Sequence, residues 1–235
     1  MKTILITGGT QGLGRKLVED LSSEDSEIII VDRNIAPFDE FKNTLKGKVE
    51  IHQVDVGDDS QVNALHKKLA DRKIDILLDN AGVFTTNSLE AKDLAHRKDA
   101  INSNLLGTIN FVEKFLPNLL MSESPQLIFT LSIAALLGFG GEVGEWSTYN
   151  ASKWGVKGYM MDLKQRPELK KIRIGAVYPG GFESNIYENS GSEEGGQEHD
   201  LGWMMTTETV ANAVIFMISQ PKDANVDELV ITKHF

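Results

Sequence analysis

Short apolar runs alternate with amphipathic stretches of helical length along the whole chain, and this alternation limits the possible folds more than any other feature. Seven runs rich in β-branched residues occupy 3–7, 27–32, 49–55, 74–79, 126–132, 172–178 and 228–232. Apolar residues at helical spacing fill 15–21, 61–70, 109–120 and 152–163. Nearly continuous apolar runs are typical of parallel strands covered by helices on both faces. We therefore predict one α/β domain with a doubly wound sheet of about seven mostly parallel strands.

Size and composition limit what such a domain can do. Of the 235 residues, 41% are hydrophobic and 25% charged, so neither a disordered nor a fibrous protein is expected. The formal net charge of −10 argues against nucleic acid as a partner, because an acidic surface repels phosphates. The absence of cysteine excludes disulfides, and the five histidines lack metal-ligand spacing, so no metal site is expected. Since neither a signal segment nor a membrane-spanning run is visible, we expect a soluble cytoplasmic protein with no membrane partner.

A glycine-rich turn joins the first predicted strand to a helix. Residues 7–14 read Thr-Gly-Gly-Thr-Gln-Gly-Leu-Gly. Backbone N–H groups and the positive end of a helix dipole at such a turn bind a pyrophosphate, and glycine lets the phosphates approach closely. The spacing of Gly8, Gly12 and Gly14 differs from the common dinucleotide fingerprint, and a turn with a purely structural role is the alternative. We predict a Rossmann-type nucleotide-binding domain.

The end of the second predicted strand points to the kind of dinucleotide. Asp32 ends that strand, at the distance expected of the acid that binds an adenosine ribose. A carboxylate accepts hydrogen bonds from ribose hydroxyls and repels a 2′-phosphate, which favours NAD over NADP. Arg33 follows and could offset the repulsion, so NADP is the alternative cofactor.

Tyr149 and Lys153 lie four residues apart in a predicted helix, and therefore on one face of it. A nearby ammonium stabilises a phenolate, so the pair suits proton transfer to or from an alcohol oxygen. The alternative is an ordinary pair on a solvated helix face.

Taken together, these motifs resemble the short-chain dehydrogenase/reductase family, in its shorter single-domain branch, over essentially the whole chain. In family order, the matching motifs are Thr7–Gly14, Asp55-Val56, Asn80-Ala81-Gly82, Asn104–Gly107, Ser132, Tyr149 with Lys153, and Pro179-Gly180. The resemblance implies that Tyr149 is the acid/base and that Lys153 binds the nicotinamide ribose and lowers the phenol pKa. It further implies that Ser132 orients the substrate oxygen and that Asn104 holds a relay water through its backbone.

The resemblance also implies a set of cofactor contacts. Asp55 matches the carboxylate that contacts the adenine amino group, Asn80 would also secure the central strands, and Ser184 replaces a usual threonine near the carboxamide. The full expected set is Gly8, Thr10, Gln11, Gly12, Leu13, Gly14, Asp32, Arg33, Asp55, Val56, Asn80, Ala81, Gly82, Tyr149, Lys153, Pro179, Gly180 and Ser184.

The sequence departs from the family pattern at two places. Asp79 stands where the family commonly has asparagine. The separation of Ser132 and Tyr149 exceeds the usual one, and we place the additional residues around 140–145. In the alternative alignment, Ile133 takes the serine position and the catalytic serine is missing.

Residues 183–203 form a long, glycine-rich segment that carries six acids and neither lysine nor arginine. Such a segment is either a lid or a disordered loop. We treat it as a substrate lid, and its charge favours a neutral or weakly polar substrate, although the acids could merely solvate a loop.

These features predict an enzyme that interconverts a secondary alcohol and a ketone by hydride transfer with NAD or NADP. Two alternatives remain: a non-catalytic dinucleotide-sensing regulator, and an epimerase or dehydratase that retains its NAD. The resemblance implies a homodimer or homotetramer that assembles through the helices after Asn104 and around Tyr149.

Overall fold

A seven-stranded parallel sheet lies at the centre of the molecule. The computed structural model describes residues 1–85, 94–136, 146–184, 186 and 201–234. The strands are β1 Lys2–Thr7, β2 Ser26–Asp32, β3 Lys48–Gln53, β4 Ile76–Asp79, β5 Gln126–Thr130, β6 Arg173–Pro179 and β7 Glu228–Ile231. Their order is β3-β2-β1-β4-β5-β6-β7, and every neighbouring pair is parallel. The predicted doubly wound fold is confirmed.

Helices cover both faces of the sheet. They are α1 Gly12–Leu21, α2 Phe38–Phe41, α3 Asp59–Leu69, α4 Leu94–Ile101, α5 Thr108–Leu120, α6 Ser147–Leu163 and α7 Thr207–Ile218, with a π-helical turn, Asn102–Gly107, between α4 and α5. Side-chain caps begin two of them: Asp58 accepts from the N–H groups of Ser60 and Gln61, and Thr206 accepts from that of Thr209. None of the helices in the described ranges is long and apolar enough to cross a membrane.

The alternating side chains of β2 show how one strand serves two cores. Ile28 and Ile30 pack in the cluster beneath α1 and α7, whereas Ile29 and Val31 pack in the cluster beneath α3, α5 and α6. All four are fully buried. This burial explains why the sequence of β2 is apolar throughout, since successive strand residues face opposite sides of the sheet.

An ion-pair cluster closes the amino-terminal end of the sheet, away from the glycine turn. The Glu27 side chain on β2 is 5% exposed and contacts both Lys48 and Arg72. Arg72 also pairs with Glu50 at 3.2 Å. Burial raises the pKa of Glu27, but the hydrogen bonds from Lys48 and Arg72 outweigh it and hold that pKa below its usual value.

The chain order reverses between β1 and β4. Strands β1 to β3 extend to one side of this point, and β4 to β7 extend to the other. In open parallel sheets, the crevice at the carboxyl ends of the two strands beside such a switch point is the usual ligand site. The carboxyl ends of β1 and β4 are Thr7 and Asp79, next to the glycine turn and the Asn80-Ala81-Gly82 segment.

Candidate active site

The glycine turn between β1 and α1 depends on glycine for both conformation and space. Gly8 and Gly12 have φ values of 68° and 49°, in the left-handed region that glycine favours. A Cβ at Gly14 would lie 1.9 Å from the carbonyl oxygen of Gly8. The turn therefore packs against the first residues of α1, and the first N–H groups of the helix have no partner within the helix.

Asn80 fixes the turn to the end of β4. Its Nδ2 donates to the carbonyl oxygens of Thr7 and Gly8, at 3.1 Å in both cases. In the opposite direction, the backbone N–H groups of Asn80 and Ala81 donate to the Thr7 hydroxyl at 2.9 and 3.0 Å. These four bonds hold the two strands that flank the switch point in one arrangement.

A cavity of about 280 Å³, here called the turn cavity, opens beside this turn. Its lining residues that were expected to contact the cofactor are Gly8, Gln11, Gly12, Leu13, Asp32, Arg33, Asp55, Val56, Asn80, Ala81, Gly82 and Ser184. Six further lining residues were not expected from the sequence: Val31, Asn34, Val54, Val83, Ser103 and Ile186. Neither Thr10 nor Gly14 is among the lining residues, although both were expected to contact the cofactor.

Thr10 holds the Asp32 carboxylate at the cavity wall. Thr10 is fully buried, and both its backbone N–H and its hydroxyl donate to Asp32 Oδ2, at 3.1 and 2.7 Å. The N–H of Asn34 donates to Asp32 Oδ1 at 3.1 Å. The carboxylate is therefore fixed in orientation while one side of it faces the cavity.

Arg33 is paired with an acid from a distant helix. Its Nη1 lies 3.2 Å from Asp99 Oδ2 on α4, and the Ser103 hydroxyl donates to Asp99 Oδ1 at 3.1 Å. Asp99 was not expected at the site, because nothing in the local sequence links α4 to the end of β2. The pair lowers the net positive charge that Arg33 brings to the cavity wall.

Polar groups in the wall of the turn cavity fit a dinucleotide. The Asp55 carboxylate accepts from the N–H of Gly57 at 2.8 Å and lines the wall beside Val56. The Ser184 hydroxyl is buried and has no hydrogen-bond partner among the described residues. A buried hydroxyl without a partner costs free energy, so Ser184 is available to a polar group of a ligand.

A second cavity of about 320 Å³, here called the tyrosine cavity, adjoins the first. Its lining residues expected in the site are Asn80, Gly82, Ser132, Tyr149, Lys153, Pro179 and Gly180. Asn80, Gly82 and Ile186 line both cavities, so the two cavities lie side by side. Residues not expected there are Phe84, Thr130, Leu131, Ile133, Gly181, Phe182, Ile186, Thr232 and Lys233.

Lys153 is buried within this cavity wall. Its Nζ donates to the carbonyl oxygen of Thr130 at 3.0 Å and lies 5.8 Å from the centre of the Tyr149 ring. Burial lowers the pKa of Lys153 to about 8, and the negative charge of Asp79 opposes that effect. The lysine therefore retains N–H groups and a titratable charge beside the phenol ring.

Ser132 and Asn104 hold their positions through local hydrogen bonds. Ser132 begins the short 3-10 turn Ile133–Ala135, and its Oγ accepts from the N–H of Ala134 at 3.1 Å. Because a hydroxyl proton rotates, Ser132 can still donate into the cavity. Asn104 lies in the π-helical turn, where Oδ1 accepts from the Val83 N–H and Nδ2 donates to the Val83 carbonyl, both at 2.8 Å.

Aromatic side chains form part of the wall of the tyrosine cavity. Phe84 is 5.3 Å from the Trp146 ring and 5.0 Å from the Tyr149 ring, centre to centre, with edge-to-face geometry in both cases. Trp203 packs against Gly181 so closely that a Cβ there would lie 1.9 Å from the indole ring. The predicted additional residues at 140–145, and most of the predicted lid at 183–203, lie outside the described residues.

The doubly wound sheet, the glycine turn after β1 and the acid at the end of β2 define a dinucleotide-binding Rossmann protein. The family model described as short chain dehydrogenase matches residues 2–195, and the chain belongs to this family. It is thus an oxidoreductase with the family's NAD(P)-binding fold.

Individual relatives agree with this assignment. The chain is 25% identical to an uncharacterized oxidoreductase of Listeria monocytogenes over 98% of this chain and 95% of that protein. It is 27% identical to a 3-oxoacyl-[acyl-carrier-protein] reductase of Aquifex aeolicus, over 93% and 90% of the two chains. A solved alcohol dehydrogenase of Thermococcus sibiricus shares the fold with a TM-score of 0.83 and 20% identity, over 99% of this chain and 96% of that one.

Proposed function

We propose that this protein interconverts a secondary alcohol and a ketone, with a nicotinamide dinucleotide in the turn cavity. The observation that carries the proposal is that Ser132, Tyr149 and Lys153 line one cavity, which shares the lining residues Asn80, Gly82 and Ile186 with the turn cavity. When bound, the nicotinamide supplies or accepts the hydride. The chain itself must therefore bind the substrate oxygen and move one proton.

Tyr149 is the proposed proton donor and acceptor, with its hydroxyl acting on the substrate oxygen. The Lys153 ammonium beside it favours the phenolate that remains after proton donation. Ser132 donates a hydrogen bond to the same oxygen, where negative charge develops during reduction. Asn104 has its side chain bound to Val83, and we propose that its backbone holds a water that returns the proton through Lys153.

We further propose that NAD(H) is preferred over NADP(H). Thr10 and Asn34 fix the Asp32 carboxylate at the cavity wall, where it would accept from ribose hydroxyls and repel a 2′-phosphate. Arg33 could attract that phosphate, but Asp99 already pairs with it. One fold neighbour is described in complex with 5-hydroxy-NADP and another with NADH, so the fold itself accommodates either cofactor.

The proposed substrate is a ketone or alcohol with mainly apolar groups beside the reacting carbon. Phe84, Trp146 and Trp203 give the cavity that holds Tyr149 and Ser132 a large apolar surface. Burying apolar groups against these rings lowers the free energy of the complex. Lys233 also lines the cavity and can pair with one carboxylate, but a second carboxylate beside the rings would be left unpaired. Within one size class, kcat/KM should therefore be higher for apolar ketones than for ketodicarboxylates.

A pair of tyrosine variants on α6 tests the proposed chemistry. Tyr149→Phe should lose about 10²-fold or more in turnover while NADH binding is retained, because a general acid/base contributes about that factor. The matched control is Tyr159→Phe, whose hydroxyl instead bonds to Glu113 at 3.1 Å and should be dispensable for turnover. Full turnover in Tyr149→Phe would refute the proposal. Tight NAD retention by the native protein without net redox turnover would favour the epimerase or dehydratase alternative.

A further inference from the structure

A buried carboxyl group lies at the carboxyl end of β4, where the family resemblance predicts asparagine. Asp79 is 6% exposed. The Thr108 hydroxyl donates to its Oδ2 at 3.0 Å, and the Thr7 hydroxyl is 3.5 Å from its Oδ1. The bonds that hold this side chain therefore come from two neutral hydroxyls, one on α5 and one on β1.

These hydrogen bonds do not require a charge. Each hydroxyl needs an acceptor, and the single amide oxygen of an asparagine would provide one for the stronger Thr108 bond. A carboxylate here is costly, because burial raises the pKa of Asp79 to about 6, against the lowering effects of the Lys153 charge and the two hydroxyls. The hydrogen bonds alone therefore do not account for a carboxylate at this position.

The buried charge acts on Lys153. β4 and β5 are neighbours in the sheet with Asp79 beside Phe129, and Lys153 Nζ bonds to the carbonyl of the next residue, Thr130. Both charged side chains are 6% exposed on the face that α5 and α6 cover. Neither forms an ion pair with a described residue, so the two charges act on each other through the protein interior, where charges are poorly screened.

Other groups around the pair are neutral or already matched. Among the described residues, Asp79 is the charged side chain that acts on Lys153. The groups that face the pair are Thr7 from β1, Thr130 from β5, Thr108 from α5, and Tyr149 and Tyr159 from α6, with Glu113 on α5 bonded to Tyr159 and to Arg166. Because Glu113 is paired with Arg166, Asp79 is the acid whose charge offsets that of Lys153.

We propose that Asp79 is an electrostatic positioning residue, whose buried negative charge keeps the Lys153 ammonium protonated so that it can act on Tyr149. This inference rests on the proposed function of Lys153. The two charges coexist between about pH 6, below which Asp79 takes up a proton, and about pH 8, above which Lys153 loses one. Without the carboxylate, burial alone acts on the lysine, and its pKa falls.

The test is an NMR titration of the full chain, labelled with ¹⁵N or ¹³C in lysine and free of cofactor. Lys153→Met identifies the Lys153 signal. In the wild type, the chemical shift of this signal should change mainly near pH 8 (the main step), where Lys153 itself titrates. A smaller change near pH 6 (the minor step) should report the titration of Asp79. In Asp79→Asn the minor step should vanish and the main step move down by about one pH unit, a typical effect of losing a nearby opposite charge.

Asp75→Asn is the matched control. Asp75 immediately precedes β4 at the other end of the strand, where Ser122 donates to it, and its removal should leave the Lys153 titration unchanged. The wild-type titration keeps the proposal falsifiable even if Asp79→Asn fails to fold, because a single step with no inflection near pH 6 would overturn it. An unmoved main step in a folded Asp79→Asn would overturn it as well.

A second readout separates the coupling from the proposed function. The high-pH limb of the kcat profile should move down by about one pH unit in Asp79→Asn and stay in place in Asp75→Asn. If the Lys153 titration moves but the kcat limb does not, the catalytic role proposed for Lys153 is wrong. If neither moves, the electrostatic role of Asp79 is wrong.

Discussion

Replacing Asp32 by asparagine tests the basis of cofactor choice. The change removes one negative charge from the wall of the turn cavity while keeping a side chain of the same size. The amide oxygen can still accept from the N–H and hydroxyl of Thr10, which donate to Oδ2 in the native protein. The bond from the Asn34 N–H to Oδ1 is lost, so this loop is the part of the structure that the variant weakens.

The expected magnitude follows from Coulomb's law. Two unit charges 4 Å apart interact by about 1 kcal/mol in water and by about 4 kcal/mol near a protein surface. A phosphate monoester carries about −1.5 to −2 at pH 7, and Asp32 is partly buried beside an open cavity. The substitution should therefore remove about 2–4 kcal/mol of repulsion between residue 32 and the 2′-phosphate of NADPH. The Kd of NADPH divided by the Kd of NADH should fall by roughly 30-fold to several hundredfold.

Fluorescence titration with NADH and NADPH measures this ratio directly. Asp39→Asn is the control: it makes the same change in net charge, but Asp39 is an exposed residue of α2 paired with Lys42. Its ratio should change less than about twofold, because an exposed charge away from the cavity is screened. A ratio that is unchanged in Asp32→Asn, or that changes equally in both variants, would refute the assignment of Asp32.

Three further predictions concern other parts of the structure. Asp99→Asn should raise NADPH affinity by up to about fivefold by freeing Arg33, as exposed ion pairs contribute about 0.2–1 kcal/mol; unchanged NADPH titrations would contradict this. Gly14→Ala should abolish NADH binding or folding, since its Cβ would lie 1.9 Å from the carbonyl oxygen of Gly8. Gly158→Ala is the control: a Cβ there has open space around it, so the free energy of unfolding should rise by about 0.4–1 kcal/mol. Glu27→Gln should lower the melting temperature at pH 7, and the difference should shrink as pH falls below the usual glutamate pKa, because the ion pairs stabilise only the ionised carboxylate. A difference that is as large at pH 3 as at pH 7 would argue against the ion pairs.

Much of the fold could be predicted because its causes are local. A nearly continuous apolar run such as Ile28–Val31 is stable only between two helical layers, and its length and β-branching favour a strand. The glycine turn is equally local, since its glycines are required by backbone angles and by contacts within a few residues. The exact ends of elements were less predictable: the apolar residues at helical spacing begin at 152 and Tyr149 was placed in the predicted helix, but α6 begins at Ser147, because polar residues occupy its first turn.

The placement of the site residues was also accessible, because parallel strands bring their carboxyl ends to one edge. Residues that follow β1, β2, β4, β5 and β6 must therefore meet there, whatever the details of packing. The role of Thr10 could not be predicted in this way. The glycine-rich motif places Thr10 in the turn, but only the packing of β1 beside β2 shows that it holds Asp32 and does not line the cavity.

Tertiary structure alone decided the electrostatics of the site. Asp99 reaches Arg33 from a helix 66 residues further along the chain, and no local pattern links the two. Asp79 and Lys153 are 74 positions apart in sequence, and their mutual effect exists only because packing removes water from both. The sequence determines which side chains can carry a charge. The energy of interaction between two charges depends on their separation and on the dielectric around them, and both are set only when the chain is folded.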